Sequence, residues 1–326
     1  MRRPLAAVLL AAASLGNLPS AALAVMIRHD VPDADYTNRA QASAFAASRL
    51  TLLTPVETTS GTLITPSHLI TAGHLVAGWV PEGSNAAPCN LAIQWGTQQL
   101  TGVYTYLFPA YDRTQVVGGF DVAIVRLAEP LAEVRPATLW VGGVDLGQRF
   151  TGIGQGRTGT GLDNNEPGAG GVFRGYENTV DYLYDPAAYR HWRCDFDNGD
   201  PAYNSLAEVL YDTVPQAITG TSSALALPLE GTAAAGDSGS AVYVQKRSDW
   251  LLAGITSYRW YSQYGGQAGY VNLSAPEIGA WLSDVATAES TAFTCVTQIP
   301  ALLRWAPESA HLLIEGNLDR PYRIEV

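Results

Sequence analysis

Cysteine is scarce in this chain of 326 residues: there are three, Cys89, Cys194 and Cys295. Three thiols close at most one intramolecular disulfide, so a densely cross-linked scaffold is excluded and stability has to rest on an apolar core. All three pairings stay open. Basic residues are few as well, 19 Lys and Arg against 30 Asp and Glu. The resulting net charge of −11 argues against nucleic acid or an anionic membrane surface as a partner. Past the first two dozen residues, no apolar run approaches the ~20 residues that a membrane-spanning helix needs. No group of His, Cys and carboxylates has zinc-ligand spacing, so neither metal nor organic cofactor is expected.

Apolar residues make up 47% of the chain, with 32 Gly and 19 Pro, which suits a turn-rich β protein. Residues 1–24 read as a secretory signal peptide. Arg2 and Arg3 form the charged start, Leu5 to Leu15 the apolar core, and Ala22-Leu23-Ala24 an A-x-A cleavage site. As a membrane anchor the run is too short. The mature protein is therefore expected to be exported, extracellular or periplasmic, and monomeric, with no membrane contact after cleavage.

Gly236-Asp237-Ser238-Gly239-Ser240 is the stretch richest in chemistry. Glycines around a serine make a sharp turn that presents a hydroxyl, and the amides of Gly236 and Ser238 can point together at an oxygen gaining negative charge. Glycine-flanked serines are common in ordinary turns, but this chain also holds a histidine in Thr71-Ala72-Gly73-His74. An aspartate opens the alternating apolar stretch from Asp121 to Leu127.

These three blocks, in this order, resemble the catalytic blocks of the trypsin/chymotrypsin-like serine proteases, over about residues 27 to 286. His74 and Asp121 are 47 residues apart, against about 45 in chymotrypsin. From Asp121 to Ser238 is 117, against about 93, so the second half carries roughly 24 extra residues. The resemblance implies Ser238 as nucleophile, His74 as general base and Asp121 as the carboxylate that orients the imidazole, with Gly236 and Ser238 forming the oxyanion hole. His29, His68, His191 and His311 lie in no motif and read as ordinary surface or core histidines. The resemblance also implies that Ser257, 19 residues after Ser238, bonds near Asp121, and that Ser257, Tyr258 and Arg259 border the substrate groove. Thr232 then lies at the base of the primary pocket, where it offers no carboxylate for a basic side chain. Arg259 would narrow the pocket, attract an acidic residue, or lie in solvent. Asp237 would take the ammonium of a mature N-terminus at Val25 or Ile27, or a cation such as Arg28.

The implied fold is all-β: two six-stranded antiparallel barrels and a C-terminal helix, plus a short β-rich extension. Strands are expected at Arg49–Leu53, Gly61–Ile64, His68–Thr71, Leu91–Trp95, Gln99–Leu107 and Asp121–Leu127, and again at Ala241–Val244, Trp250–Ser257 and Gly269–Leu273. Residues 157–206 read as loop. Ser274-Ala275-Pro276-Glu277 has capping-box form and opens a helix. The organisation is a signal peptide at 1–24, a protease-like domain at 25–286, and an extension at 287–326 that looks like part of a small β module. Asp195-Phe196-Asp197-Asn198-Gly199-Asp200 has the oxygen-rich look of a calcium loop, but reads better as a solvated acidic turn because no closing glutamate follows. The expected function is a secreted serine endopeptidase acting on protein or peptide substrates. An esterase on the same triad and a non-catalytic binding protein of the same fold are the other readings.

Overall fold

The computed structural model describes residues 25–297 other than 56, 115–116, 118–119, 164–165, 169, 185–189, 208–217 and 220–221, together with two strands further on. Six strands close into an antiparallel barrel, in the order Arg49–Leu53, Thr58–Thr65, His68–Thr71, Ala123–Leu127, Gln98–Leu107 and Ala86–Trp95. The period-two alternation of a strand explains how it fills. Ala123, Val125 and Leu127 point into the barrel with Leu50, Leu52, Leu63, Leu69, Leu91 and Ile93. Ile124, on the opposite face of the same strand, enters a second cluster with Ile64, Ile70, Ile255, Val271 and Trp281. One strand thus serves the barrel interior and the seam against the rest of the molecule.

The second half differs from the expected closed barrel. Its strands form a curved open sheet in the order Arg174–Thr179, Arg149–Gly154, Ala241–Lys246, Asp249–Trp260, Gln267–Asn272, His191–Asp195, Tyr182–Tyr184 and Ile218–Thr219. Among the described residues the two edges do not pair with each other; beyond its pairing with Arg149–Gly154, Arg174–Thr179 makes a bridge from Glu177 to Glu230. The result is a closed barrel beside a half-barrel. Four of these strands, at 174–179, 182–184, 191–195 and 218–219, lie in or near the stretch expected to be loop. Their signal was weak because they are short, from two to six residues. The half-barrel core is aromatic: Trp192 stacks on Tyr270, and Phe150 meets Tyr176, Trp192 and Tyr270 edge-on.

The helix Pro276–Ala288 buries Ile278, Trp281, Leu282 and Val285, spaced three and four apart, against the seam cluster. Its start corrects the expected capping box. Ala275 is the N-cap and no side chain caps it, while the Ser274 hydroxyl donates to the Trp140 carbonyl. Pro276 at the first helical position supplies the pre-set φ instead. Near the N-terminus, the strand Val25–Ile27 pairs with Thr158–Thr160 and Gly231–Thr232. The helix Asp33–Gln41, which sequence did not reveal, is anchored by Asp33 on the buried Arg174. Cys89, Cys194 and Cys295 are all free thiols. Beyond the helix, Cys295–Val296 runs parallel to Leu139–Trp140 and so extends the half-barrel sheet. In the extension expected to be part of a small β module, the strands Leu302–Ala306 and His311–Glu315 pair antiparallel, and residues 316–326 lie outside the described residues.

Gly254 shows how tightly the half-barrel is filled, because a Cβ there would run into the Trp192 ring. Gly254→Ala is expected to lower stability by about 1–3 kcal/mol through overpacking. Urea unfolding of parent and variant measures it, and an unchanged midpoint would show that the ring can move aside.

Candidate functional site

His74 sits in the short helical turn Gly73–Val76 that follows the strand His68–Thr71. Asp121 precedes the strand Ala123–Leu127, which pairs with His68–Thr71. That pairing brings two residues distant in sequence together. Asp121 Oδ1 accepts the His74 backbone N–H at 2.8 Å, and Oδ2 faces His74 Nδ1 at 2.8 Å. A carboxylate facing Nδ1 makes that nitrogen the donor and leaves Nε2 of the neutral ring as an acceptor. Ser257, from the half-barrel strand Asp249–Trp260, donates its hydroxyl to Asp121 Oδ2 at 2.6 Å. Gly73 is required for this approach, since a Cβ would press on Leu107 and the Asp121 carboxylate. Burial alone would lower the His74 pKa; the hydrogen bond and charge of Asp121, with a contribution from Glu57, outweigh it and raise it.

Ser238 lies in a turn between Gly231–Thr232 and Ala241–Lys246. Gly236 and Gly239 hold φ of 86° and 76°, which favours glycine at both places. Gly239 is pressed against Thr71, Ala72 and Ser60, so the serine turn abuts the residues just before His74. Ser60 N–H donates to the Ser238 carbonyl (3.2 Å), and Gly239 N–H donates to the Thr256 carbonyl (2.9 Å). Ser238 is thereby tied to the closed barrel on one side and to the strand carrying Ser257 on the other. The amides of Asp237, Gly239 and Ser240 are all bonded within the turn or to Thr256. Among the described residues, the amides of Gly236 and Ser238 have no acceptor, and the Ser238 hydroxyl makes no hydrogen bond to the imidazole.

Arg28, the alternative cation expected for Asp237, is engaged elsewhere. Arg28 pairs with Asp30, at 2.6 Å, and donates to the Leu227 carbonyl. The Asp237 carboxylate is wholly buried and accepts the N–H groups of Gly156 (2.7 Å) and Ala234 (2.8 Å). Burial pushes its pKa up to about 7, against the opposing pull of those amides. Gly154 and Gly156 allow this contact, because a Cβ on either would strike Asp237 or its backbone. Between them, the buried Gln155 donates to the Thr59 carbonyl (2.7 Å) and accepts from the Thr51 hydroxyl (2.8 Å). Gln155 thus ties the closed barrel to the loop that holds Asp237.

The remaining expected site residues divide. Thr232 is buried in the pairing with Val25–Ile27, and its hydroxyl has no partner among the described residues. Tyr258 receives a hydrogen bond from Arg193 (2.9 Å) and packs on Trp260. Arg259 is half-buried and paired: its guanidinium meets the buried carboxylate of Glu166 at 2.8 Å. Glu166 was not expected at the site. It precedes a proline in a loop, with no periodicity or motif to mark it. Two cavities lie elsewhere: one along Arg49, Gln155 and Phe173, the other along Ser43, Tyr243 and Trp250.

The acidic stretch expected to be solvated is also corrected. Asp195 and Asp197 are buried with Asp181 and Glu230, while Asp200 is exposed. Asp195 is held by the amide of Leu206 and the hydroxyls of Ser205 and Ser222, and Glu230 by the amide of Leu227. Burial, reinforced by mutual repulsion, raises the pKa of Asp181, Asp197 and Glu230. Among the described residues, no group of three or more His, Cys, Asp or Glu is arranged to hold a metal ion.

Asp197 holds its proton more tightly folded than unfolded, with a pKa pushed up to about 8. That contribution to stability is complete below the ordinary carboxylate pKa of about 4 and is lost as pH rises through about 8. Asp197→Asn, which cannot ionise, is therefore expected to match the parent at pH 4 and to exceed it increasingly up to pH 8. The gain should be on the order of 1–3 kcal/mol once water entry is allowed for. Urea midpoints across that range measure it, and a gap that does not grow with pH would refute the raised pKa.

The family model described as Trypsin matches residues 34–278. Among solved structures, the mouse protein titled neuropsin, a serine protease expressed in the limbic system of mouse brain, matches at 15% identity and a TM-score of 0.49. The match covers 74% of this chain and 94% of that one. No curated protein matches the chain. The family model covers well over half of the chain, and the chain belongs to the trypsin family.

Proposed function

We propose that the chain is an exported serine endopeptidase in which His74, Asp121 and Ser238 act together. The observation that carries this reading is the fully buried Asp121 carboxylate, which receives His74 Nδ1, the His74 amide and the Ser257 hydroxyl. In that setting His74 Nε2 is the base that takes the Ser238 proton as Oγ attacks the scissile carbonyl. The imidazolium, stabilised by Asp121, returns the proton to the leaving amine; water then hydrolyses the acyl-enzyme by the same route. The unbonded amides of Gly236 and Ser238 supply the two donors for the developing oxyanion.

Ser238→Ala is expected to lower kcat/KM on a peptide substrate by at least about 10³-fold. A fluorophosphonate should label the parent at Ser238 and not the variant. Undiminished turnover would sink the triad, while labelling with ester but no peptide turnover would favour the esterase reading. Activity should also fall as pH drops through the raised pKa of His74, above the ordinary value near 6.5.

The mature N-terminus in this reading is Val25. Val25 is buried at φ 70°, a region that strains a β-branched residue. A chain that begins at Val25 has no φ to strain. Val25 pairs with Thr158, two residues along from Gly156, whose amide donates to Asp237, and this neighbourhood supports a pairing of the new ammonium with that carboxylate. Adding three residues before Val25 is expected to reduce kcat/KM at least tenfold. Full activity in the extended protein would remove the ammonium from the mechanism. Among the described residues, no helix is long and apolar enough to cross a membrane.

A further inference from the structure

Glu166 is a buried carboxylate beside the serine turn with no part in the chemistry above. It is 5% exposed and holds φ 47°, in the left-handed region that few non-glycine residues adopt. A strained backbone at a loop residue persists only where its surroundings fix it, and here the fixing is done by the side chain. Glu166 Oε1 accepts from Arg259 Nη2 at 2.8 Å and from the Ser262 hydroxyl. Both carboxylate oxygens lie 3.2 Å from the Ala235 N–H.

These donors come from the two segments that border Ser238. Ala235 is three residues before Ser238 and adjoins Gly236. Arg259 and Ser262 follow Ser257, the residue that reaches Asp121, along the end of the strand Asp249–Trp260 and the turn beyond it. A guanidinium, a hydroxyl and a backbone amide converging on one point form a cradle for a carboxylate. The resident occupant is the chain's own Glu166. Its charge cancels that of Arg259, so the edge of the proposed substrate groove is neutral although it carries an arginine. Trp260 and Tyr261, 39% and 72% exposed, continue that edge.

We propose that Glu166 is the residue that sets the charge preference of this enzyme. By filling the cradle of Arg259, Ser262 and Ala235, it keeps acidic substrate side chains out and leaves cleavage directed to peptides with uncharged residues along Ser257–Arg259. The proposal rests on Ser238 being the nucleophile. It requires that emptying the cradle hand Arg259 to the substrate.

The test is a peptide library of matched members carrying Asp or Glu, uncharged, or Lys or Arg side chains, read as ratios of kcat/KM. For the parent, uncharged members are expected to lead. Glu166→Ala should raise the ratio of acidic to uncharged turnover at least tenfold. Glu166→Gln, which keeps the shape and an acceptor oxygen, should raise it less. Arg259→Gln leaves Glu166 without its cation and should move the preference the other way, toward basic side chains. Adding Arg259→Gln to Glu166→Ala should abolish the acidic preference. That preference should also weaken between 0.05 and about 0.5 M salt, as a charge contact does and a change of packing does not. Thermal melts show which variants fold, and the opposite shift expected of Arg259→Gln keeps the proposal open to refutation if both Glu166 variants unfold. Ratios that stay within twofold of the parent in folded variants overturn it while the triad stands. A parent that neither hydrolyses peptides nor takes the fluorophosphonate overturns the triad and this inference with it.

Discussion

A carboxylate removed from water must be given donors, and Asp121 obtains its donors from both halves of the molecule. Two come from the turn that carries His74, in the closed barrel, and one from Ser257 in the half-barrel. Leaving a buried ion uncompensated costs several kcal/mol. The docking of the halves and the orientation of the imidazole are therefore one constraint. The seam that brings Ser257 to Asp121 also sets the tautomer of His74.

The apolar seam makes that docking specific. Ile124 and Ile64 from the barrel meet Ile255 and Val271 from the half-barrel, with Trp281 of the C-terminal helix closing the cluster. Polar ties sit at its rim, in Gln155 to Thr51 and Thr59 and in Ser60 to the carbonyl of Ser238. Glycine decides where backbones can touch: at Gly239 against Thr71, and at Gly154 and Gly156 against Asp237. No disulfide joins the described cysteines, and the large buried side chains of the aromatic cluster, Trp192, Tyr176 and Tyr270, take up that role by packing.

Carboxylates occupy three contrasting environments. Asp121 is met by donors from a histidine and a serine, and Glu166 by a guanidinium. Asp181, Asp197 and Glu230 are buried near one another, where ionisation is opposed by desolvation and by neighbouring acids. The same residue type is thus given donors in the first two settings and favoured as a neutral acid in the third.

The primary structure by itself determined the β character, the strands of the first barrel, and the positions of His74, Asp121 and Ser238 in three blocks. Those features are local: alternation with period two, glycines at turns, and short motifs survive in any reading of neighbouring residues. Tertiary structure decided the rest. The half-barrel is open because, among the described residues, its two edge strands, Arg174–Thr179 and Ile218–Thr219, do not pair with each other. Ser274 does not cap the helix because its hydroxyl meets Trp140, 134 positions away. Asp195 is buried rather than solvated because Ser205, Leu206 and Ser222, from 10 to 27 positions further on, close over its carboxylate. Arg259 is neutralised by Glu166, 93 residues earlier in a loop without pattern. Burial and charge pairing are properties of what lies across a gap, and only folding brings the two sides of that gap together.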